Sequence, residues 1–374
     1  MLPHQPSLIS DHQGYNTVVP NSLHNSPKHK IISLLSSEIE KEFNVRVLFV
    51  CDAGSRAMNI HDQSEKDSSD YDVRFVYVHP LEWYLRVVDE VELEIRKKVM
   101  VNLKGMNQEE TEIDFVGYEL RKTLSYTKKS NPTVMEWFIQ TDIIYYCYRD
   151  SWLKEMKEFW SHYFFNIRTI VYHYLNVAKD NYVDYLRNKL EVNRKKYIYI
   201  LRCLLWIEHA RLSHFLNSIK LKNTDEIKTS SYVEVEIPPF KVDELIDQVL
   251  EKQQAFLQTS DAIKSKYPVT VNIFEKQGEA LSELQILISR KKQSSGQWDK
   301  ETRIEVLDDW IFFLRTDLKV FADKVLSNEK RRIDGISLDE QVQLQKRFDS
   351  MFYQAVTGFD TLIPKLSTVL ENYP

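Results

Sequence analysis

The chain has 374 residues, 43% of them apolar and only 8 of them glycine, with 50 basic against 55 acidic side chains for a formal net charge of −5. That length can bury two ordinary cores, while the negative balance excludes a global positive field holding the chain on nucleic acid, so any RNA contact must come from a local basic surface. No run reaches the ~18 uninterrupted apolar residues of a membrane span, and the widely spaced Cys51, Cys147 and Cys203 form no zinc or redox pair, which predicts buried thiols in a reducing, cytoplasmic setting.

Residues 1–28 are rich in Pro, His, Asn and Ser without the apolar core of a signal peptide, and read as a disordered leader. Ile31, Ile32, Leu34, Leu35 and Ile39 then recur at helical spacing opposite Glu38, Glu40 and Lys41, predicting an amphipathic helix over His29 to Phe43. Val45 to Cys51 is a short β-branched run that leads into Gly54-Ser55, a turn able to aim backbone amides at a phosphate. A polar connector from Asn59 to Ser69 delivers Asp70, and Asp72 to Val78 predicts the next strand. Pro80 opens a short helix through Arg86. Val91 to Val101 alternates, Thr111 to Val116 is again strand-like, and the pattern turns helical from Gly117 to Lys128. Ser130-Asn131-Pro132 restarts a helix with a polar cap and a proline in its first turn.

Beyond Asp142 to Tyr146 the β signals cease, which sets a boundary near Asp150. Helical patterns follow over Leu153 to Phe165, Ile167 to Leu190, Arg194 to Leu216, Val242 to Phe256, Ile273 to Arg290, Lys300 to Ser327 and Leu338 to Leu370, with loops around Pro238-Pro239 and Ser294-Ser295-Gly296. The expected organisation is α+β: a mixed-sheet domain over 29–150, a helical domain over 151–328 and a C-terminal helical extension over 329–374.

The chemistry concentrates in three acids. Asp70 and Asp72 stand two apart, so a strand there sends both carboxylates off one face, and Asp114 lies inside a neighbouring strand. Crowded carboxylates raise one another's pKa and resist common ionisation. Mg²⁺ or Mn²⁺ resolves that conflict, because a hard cation accepts one or two carboxylates together with substrate phosphates. Ser55 reads as a phosphate donor, since no His and acid stand in a recognisable order that would make it a nucleophile. Arg56, Arg74 and Lys129 are candidates for the phosphate path, although Arg74 shares the face of Asp72 and serves equally well as an ion-pair partner for the acids. Taken singly these signals are weak, because acids before strands often cap turns. Their order, strand, Gly-Ser, Asp-x-Asp strand, acid strand, is the informative part.

The strings Ala53-Gly54-Ser55-Arg56-Ala57, Ser69-Asp70-Tyr71-Asp72-Val73-Arg74, Gly117-Tyr118-Glu119-Leu120-Arg121-Lys122, Lys129-Ser130-Asn131-Pro132-Thr133 with Glu136-Trp137, and Lys195-Lys196-Tyr197 resemble the DNA polymerase β superfamily of nucleotidyltransferases, in its RNA-ligase-associated branch. The resemblance implies a polymerase-β-like domain followed by a helical domain, with a nucleotide in the cleft between them. It implies Asp70, Asp72 and Asp114 as catalytic metal ligands, and Gly54, Ser55 and Arg56 beside the phosphates. Lys195 or Lys196 would reach across to the triphosphate, with Tyr197 near base or sugar. The implied reaction moves a nucleoside monophosphate from an NTP to an acceptor hydroxyl and releases pyrophosphate, the acceptor being an RNA or tRNA end. A protein acceptor, a small nucleotide product and a non-catalytic, antitoxin-like binding module fit the same residues. Two departures stand out: Met58 and then Asn59 stand where the family carries an aromatic and its second glycine, at a position where Asn tolerates the left-handed backbone, and the stretch from Ile60 to Ser69 is longer and more polar than the family's usual connection.

Overall fold

Helix α1 (Pro27–Phe43) packs on the sheet through β1 (Arg46–Asp52) and β5 (Ile144–Cys147). All seven residues of β1 are buried, as expected of an inner strand covered on both faces. The structure, a computed structural model, describes residues 27–64, 69–87, 93–101, 111–222, 236–259, 268–293, 301–327 and 332–359. The leader up to residue 26 and the Ser294-Ser295-Gly296 loop lie outside the described residues.

After β1 come α2 (Gly54–Ala57), β2 (Tyr71–Val78), α3 (Leu81–Tyr84), β3 (Glu94–Val101) and β4 (Thr111–Glu119). The sheet order is β3-β4-β2-β1-β5. β2 and β4 run parallel while the other neighbours are antiparallel. The parallel pair matters most for the site, because it sets Asp72 and Asp114 at the same register.

The strand holding Asp114 runs on to Glu119, where the sequence pattern predicts helix from Gly117. Gly117 pairs with Phe75, and a Cβ there would fall 2.2 Å from the Phe75 ring, so the glycine makes room inside the sheet and does not start a helix. The buried Glu119 then caps α4 (Leu120–Lys128) by accepting from the Arg121 amide at 2.7 Å. Asn131 caps α5 (Pro132–Met135) in the same way, and a π turn over Glu136–Gln140 leads to β5.

The rest is helical: α6 (Asp150–Glu158) with a π turn over Phe159–Phe164, α7 (Ile167–Tyr185), α8 (Lys195–Lys222), α9 (Val242–Leu257), α10 (Pro268–Gln293), α11 (Glu305–Lys324) and α12 (Leu338–Thr357). α8 is the axis of this part. It packs on α7, α9, α10 and α11, and every residue from 200 to 213 is buried. Its buried charges are partnered, as burial demands: Arg211 pairs with Glu208 and Asp317, and His209 shares a 2.9 Å hydrogen bond with Gln248. The β signals do not end at 147, because β6 (Glu191–Val192) pairs with β7 (Glu301–Thr302). Arg194 secures this ribbon by donating to the Thr302 carbonyl at 2.7 Å, which delays α11 to Glu305.

Helix α12 returns to the sheet half. The Phe348 ring lies 4.3 Å from Phe159 and 5.2 Å from Phe164, Phe352 meets Tyr84, and Arg46 Nε donates to the Phe359 carbonyl at 3.0 Å. The helix stops at Thr357 with Gly358 as its C-cap, short of the predicted end at Leu370; residues beyond 359 lie outside the described residues. Among the described residues, no helix is long and apolar enough to cross a membrane.

Candidate active site

The turn after β1 is built around one glycine. Gly54 has φ +56, and a Cβ there would fall 1.9 Å from Asp72 Oδ2 and 2.6 Å from its Cγ. The position therefore requires glycine twice, for the left-handed backbone and for the close carboxylate. Ala53 N donates to the Asp72 carbonyl at 2.8 Å, fixing the turn to the start of β2. Ser55 is buried in the single turn of α2, and Asn59 takes φ +56, the left-handed conformation expected where the chain departs from Gly. Arg56 is buried within this turn. Its guanidinium donates to the Ser69 carbonyl at 2.7 Å and stacks 3.6 Å over the Tyr71 ring, so it holds the segment that delivers Asp70.

Asp72 and Asp114 face the same side of the sheet with one cation between them. Arg74 Nη2 lies 3.0 Å from Asp72 Oδ1, and Nη1 lies 3.3 Å from Asp114 Oδ2 and 2.9 Å from the Asp114 carbonyl. Of the two roles the sequence leaves open for Arg74, the geometry takes the ion pair. On β3, Lys98 stands opposite Asp114 and donates to Glu112 at 2.7 Å. Asp70 precedes the strand and stays exposed. Partial loss of water raises its carboxyl above the ordinary value, Glu112 and Asp72 push the same way, and Lys195 and Lys98 oppose them. Among the described residues, no three His, Cys, Asp or Glu side chains gather into a preformed ligand cluster. The donors are nonetheless hard oxygens, two of which already share one cation, and this fits an ion whose shell is completed by substrate phosphate.

Residues 28–267, more than half of the chain, match the RNA repair pathway DNA polymerase beta family. The chain belongs to that family. It is also 38% identical over 184 residues to the uncharacterized protein YcgL of Bacillus subtilis (strain 168), a match covering 48% of this chain and 63% of that protein's length. A solved structure of a nucleotidyltransferase-like protein from Exiguobacterium sibiricum 255-15 aligns over 79% of this chain and 78% of its own, at 10% identity and a TM-score of 0.26.

In this member of the RNA repair pathway DNA polymerase beta family, the helical half is bolted over the acids by contacts that span both halves. Val242 N donates to the Met58 carbonyl at 3.1 Å and Gln63 N to the Lys292 carbonyl at 2.7 Å, while the Glu136 carboxylate accepts from Arg202 at 3.0 Å and from Tyr174 at 2.8 Å. Lys195, the first residue of α8, is half-buried and close enough to Asp70 to pull its pKa down. Lys196 turns away, 3.7 Å over the Tyr185 ring, and its ammonium is held below the ordinary value by burial and by Lys195. Tyr197, expected beside the nucleotide, is fully buried instead, with its hydroxyl donating to Asp308 at 3.1 Å and accepting from Ile304 N at 3.2 Å. Lys129 is exposed at the C-cap of α4.

Sequence reasoning misses five neighbours of the acids. Tyr199, two residues past Tyr197, has its hydroxyl pushed up to about 12 by burial, with Asp72 and Asp70 adding to the shift. Lys291 near the end of α10 and Lys98 on β3 are visible only through tertiary pairing. Glu112 carries a signal that was available, since it stands two before Asp114 and so shares its face. Asp52 ends β1 fully buried, accepting from Tyr145 at 2.9 Å and from Ala53 N at 3.0 Å. Burial pushes its carboxyl up to about 7, with Asp72 adding and Arg56, Tyr145 and Ala53 opposing.

Proposed function

We infer that this protein is an active nucleotidyltransferase, moving a nucleoside monophosphate from an NTP to the hydroxyl of an RNA end and releasing pyrophosphate. The observation that carries this reading is the contact of Gly54 with the Asp72 carboxylate, in register with Asp114 across parallel strands. Those two carboxylates, with Asp70 at the lip of the cleft, would hold Mg²⁺ or Mn²⁺. Such an ion supplies charge neutralisation at the phosphates when bound. The acceptor oxygen attacks the α-phosphorus as the Pα–O bond to the β-phosphate breaks, and the electron pair leaves with pyrophosphate. Asp114 takes the proton of the acceptor hydroxyl. Lys195 faces the leaving phosphates from α8, where a lysine acts as a point charge, and the amides of the Gly54-Ser55 turn orient them. The RNA acceptor rests on the family's description as an RNA repair pathway.

The test is incubation of the full chain with each α-phosphate-labelled NTP, magnesium or manganese, total RNA and cell protein, with an Asp70→Asn/Asp72→Asn double variant as control. Label in RNA that disappears in the control supports the reading. Label in protein or in a small product moves the acceptor while keeping the chemistry. Metal-dependent NTP binding without pyrophosphate release would establish a binding module.

A further inference from the structure

The wall of the cleft opposite the acids carries two lysines from different helices. Lys195 opens α8, and Lys291 lies two residues before the end of α10 at Gln293. Both side chains are half-buried, and among the described residues neither ammonium has a hydrogen bond or an ion pair. Their neighbours are all engaged: Lys292 with Asp243, Arg290 with Glu301, Arg194 with Glu301. The end of α10 is fixed over the site by the Gln63 N to Lys292 carbonyl bond, next to the buried Asp62. Lys291 senses its surroundings accordingly. Burial lowers its pKa first and Lys195 second, while Asp70, Asp62 and Asp72 pull it back up. Two cations that repel each other at a partly dry wall are stabilised together by a multiply charged anion that both can reach.

We propose that Lys291, which lies beyond the family-matched segment 28–267, joins Lys195 in a polyphosphate-binding pair that grips the β- and γ-phosphates of the nucleotide. The proposal rests on the nucleotidyltransferase reading for the identity of the ligand. It adds a contact from α10, a helix outside the segment this chain shares with the family.

The probe is inorganic tripolyphosphate with magnesium, titrated into the full chain and followed by calorimetry. Lys291→Gln removes one charge-assisted contact and is expected to weaken binding roughly tenfold or more, with Lys291→Arg restoring most of it. Lys292→Gln, one residue along and already paired with Asp243, leaves the affinity unchanged. Circular dichroism melts confirm that each variant is folded. Equal affinity for wild type and Lys291→Gln, an equal loss in Lys292→Gln, or no binding by wild type overturns the proposal, whatever the outcome with labelled NTPs. A Lys291-dependent site in a protein that transfers no label keeps the polyphosphate pair and removes the transfer reading instead.

Discussion

Gly54→Ala isolates the contact on which the site depends. A non-glycine residue at φ +56 costs about 1–2 kcal/mol on backbone grounds alone. The new methyl would also stand 1.9 Å from Asp72 Oδ2, so the carboxylate must move and its ion pair with Arg74 must loosen. That pair is 34% and 18% exposed on its two sides, which limits its worth to about 1 kcal/mol. The single substitution should therefore cost about 2–3 kcal/mol. In an Asp72→Ala background the carboxylate is gone and only the Asp72 Cβ, at 3.0 Å, remains near, so the same change should cost about 1–2 kcal/mol, leaving a coupling of about 1 kcal/mol. Urea midpoints of the four proteins measure it. Turnover of Gly54→Ala should fall by about 10²-fold, the usual consequence of moving a reacting group by an ångström. An identical stability cost in both backgrounds refutes the described contact.

Asp52 predicts a pH dependence of stability. Its carboxyl sits at about 7 in the fold against 3.8 for the free group; between those values the native state keeps a proton that the unfolded chain has released, so stability falls as pH rises and levels off above about 7. Asp52→Asn removes this slope, of order a few kcal/mol, and the gap between variant and wild-type Tm should widen from pH 4.5 to 7.5; parallel profiles contradict it. Arg74→Gln leaves Asp72 and Asp114 without their shared cation, so magnesium should raise the Tm of this variant more than that of wild type, and a smaller rise in scanning fluorimetry counts against the pairing. Tyr197→Phe strands the Ile304 amide and should cost about 1–2 kcal/mol while leaving the KM for NTP unchanged; a large rise in KM would return Tyr197 to the cleft.

The sheet half was legible because its strands announce themselves. β1 is continuously apolar from Val47 to Cys51, and the acids at 70, 72 and 114 stand at strand starts or on alternating positions. Gly117 misled because a glycine that frees space for Phe75 looks, in one dimension, like a glycine that ends a strand. α8 hid its phase for a different reason. A helix buried on all sides has no polar stripe from which to read direction, so Tyr197 and Tyr199, about 200° apart on the helix, were exchangeable by pattern alone. Lys291 and Lys98 gain meaning only from residues far off in sequence that fold beside them. The two-residue ribbon of β6 and β7 is too short for any periodicity to form.

The hydrogen bond from Arg46 to the Phe359 carbonyl joins residues 313 positions apart. At ordinary rates of translation, roughly 5–20 residues per second, the first strand leaves the ribosome well before its last partner exists, by roughly 16–60 s. For much of that interval, from their own synthesis until residues 348 and 352 follow, Tyr84, Phe159 and Phe164 lack the aromatic cover that Phe348 and Phe352 later provide. Biosynthesis of this protein therefore passes through a stage with a sticky, half-finished lobe, and holdase chaperones should engage nascent chains stalled short of Phe348 far more than chains released after Phe359.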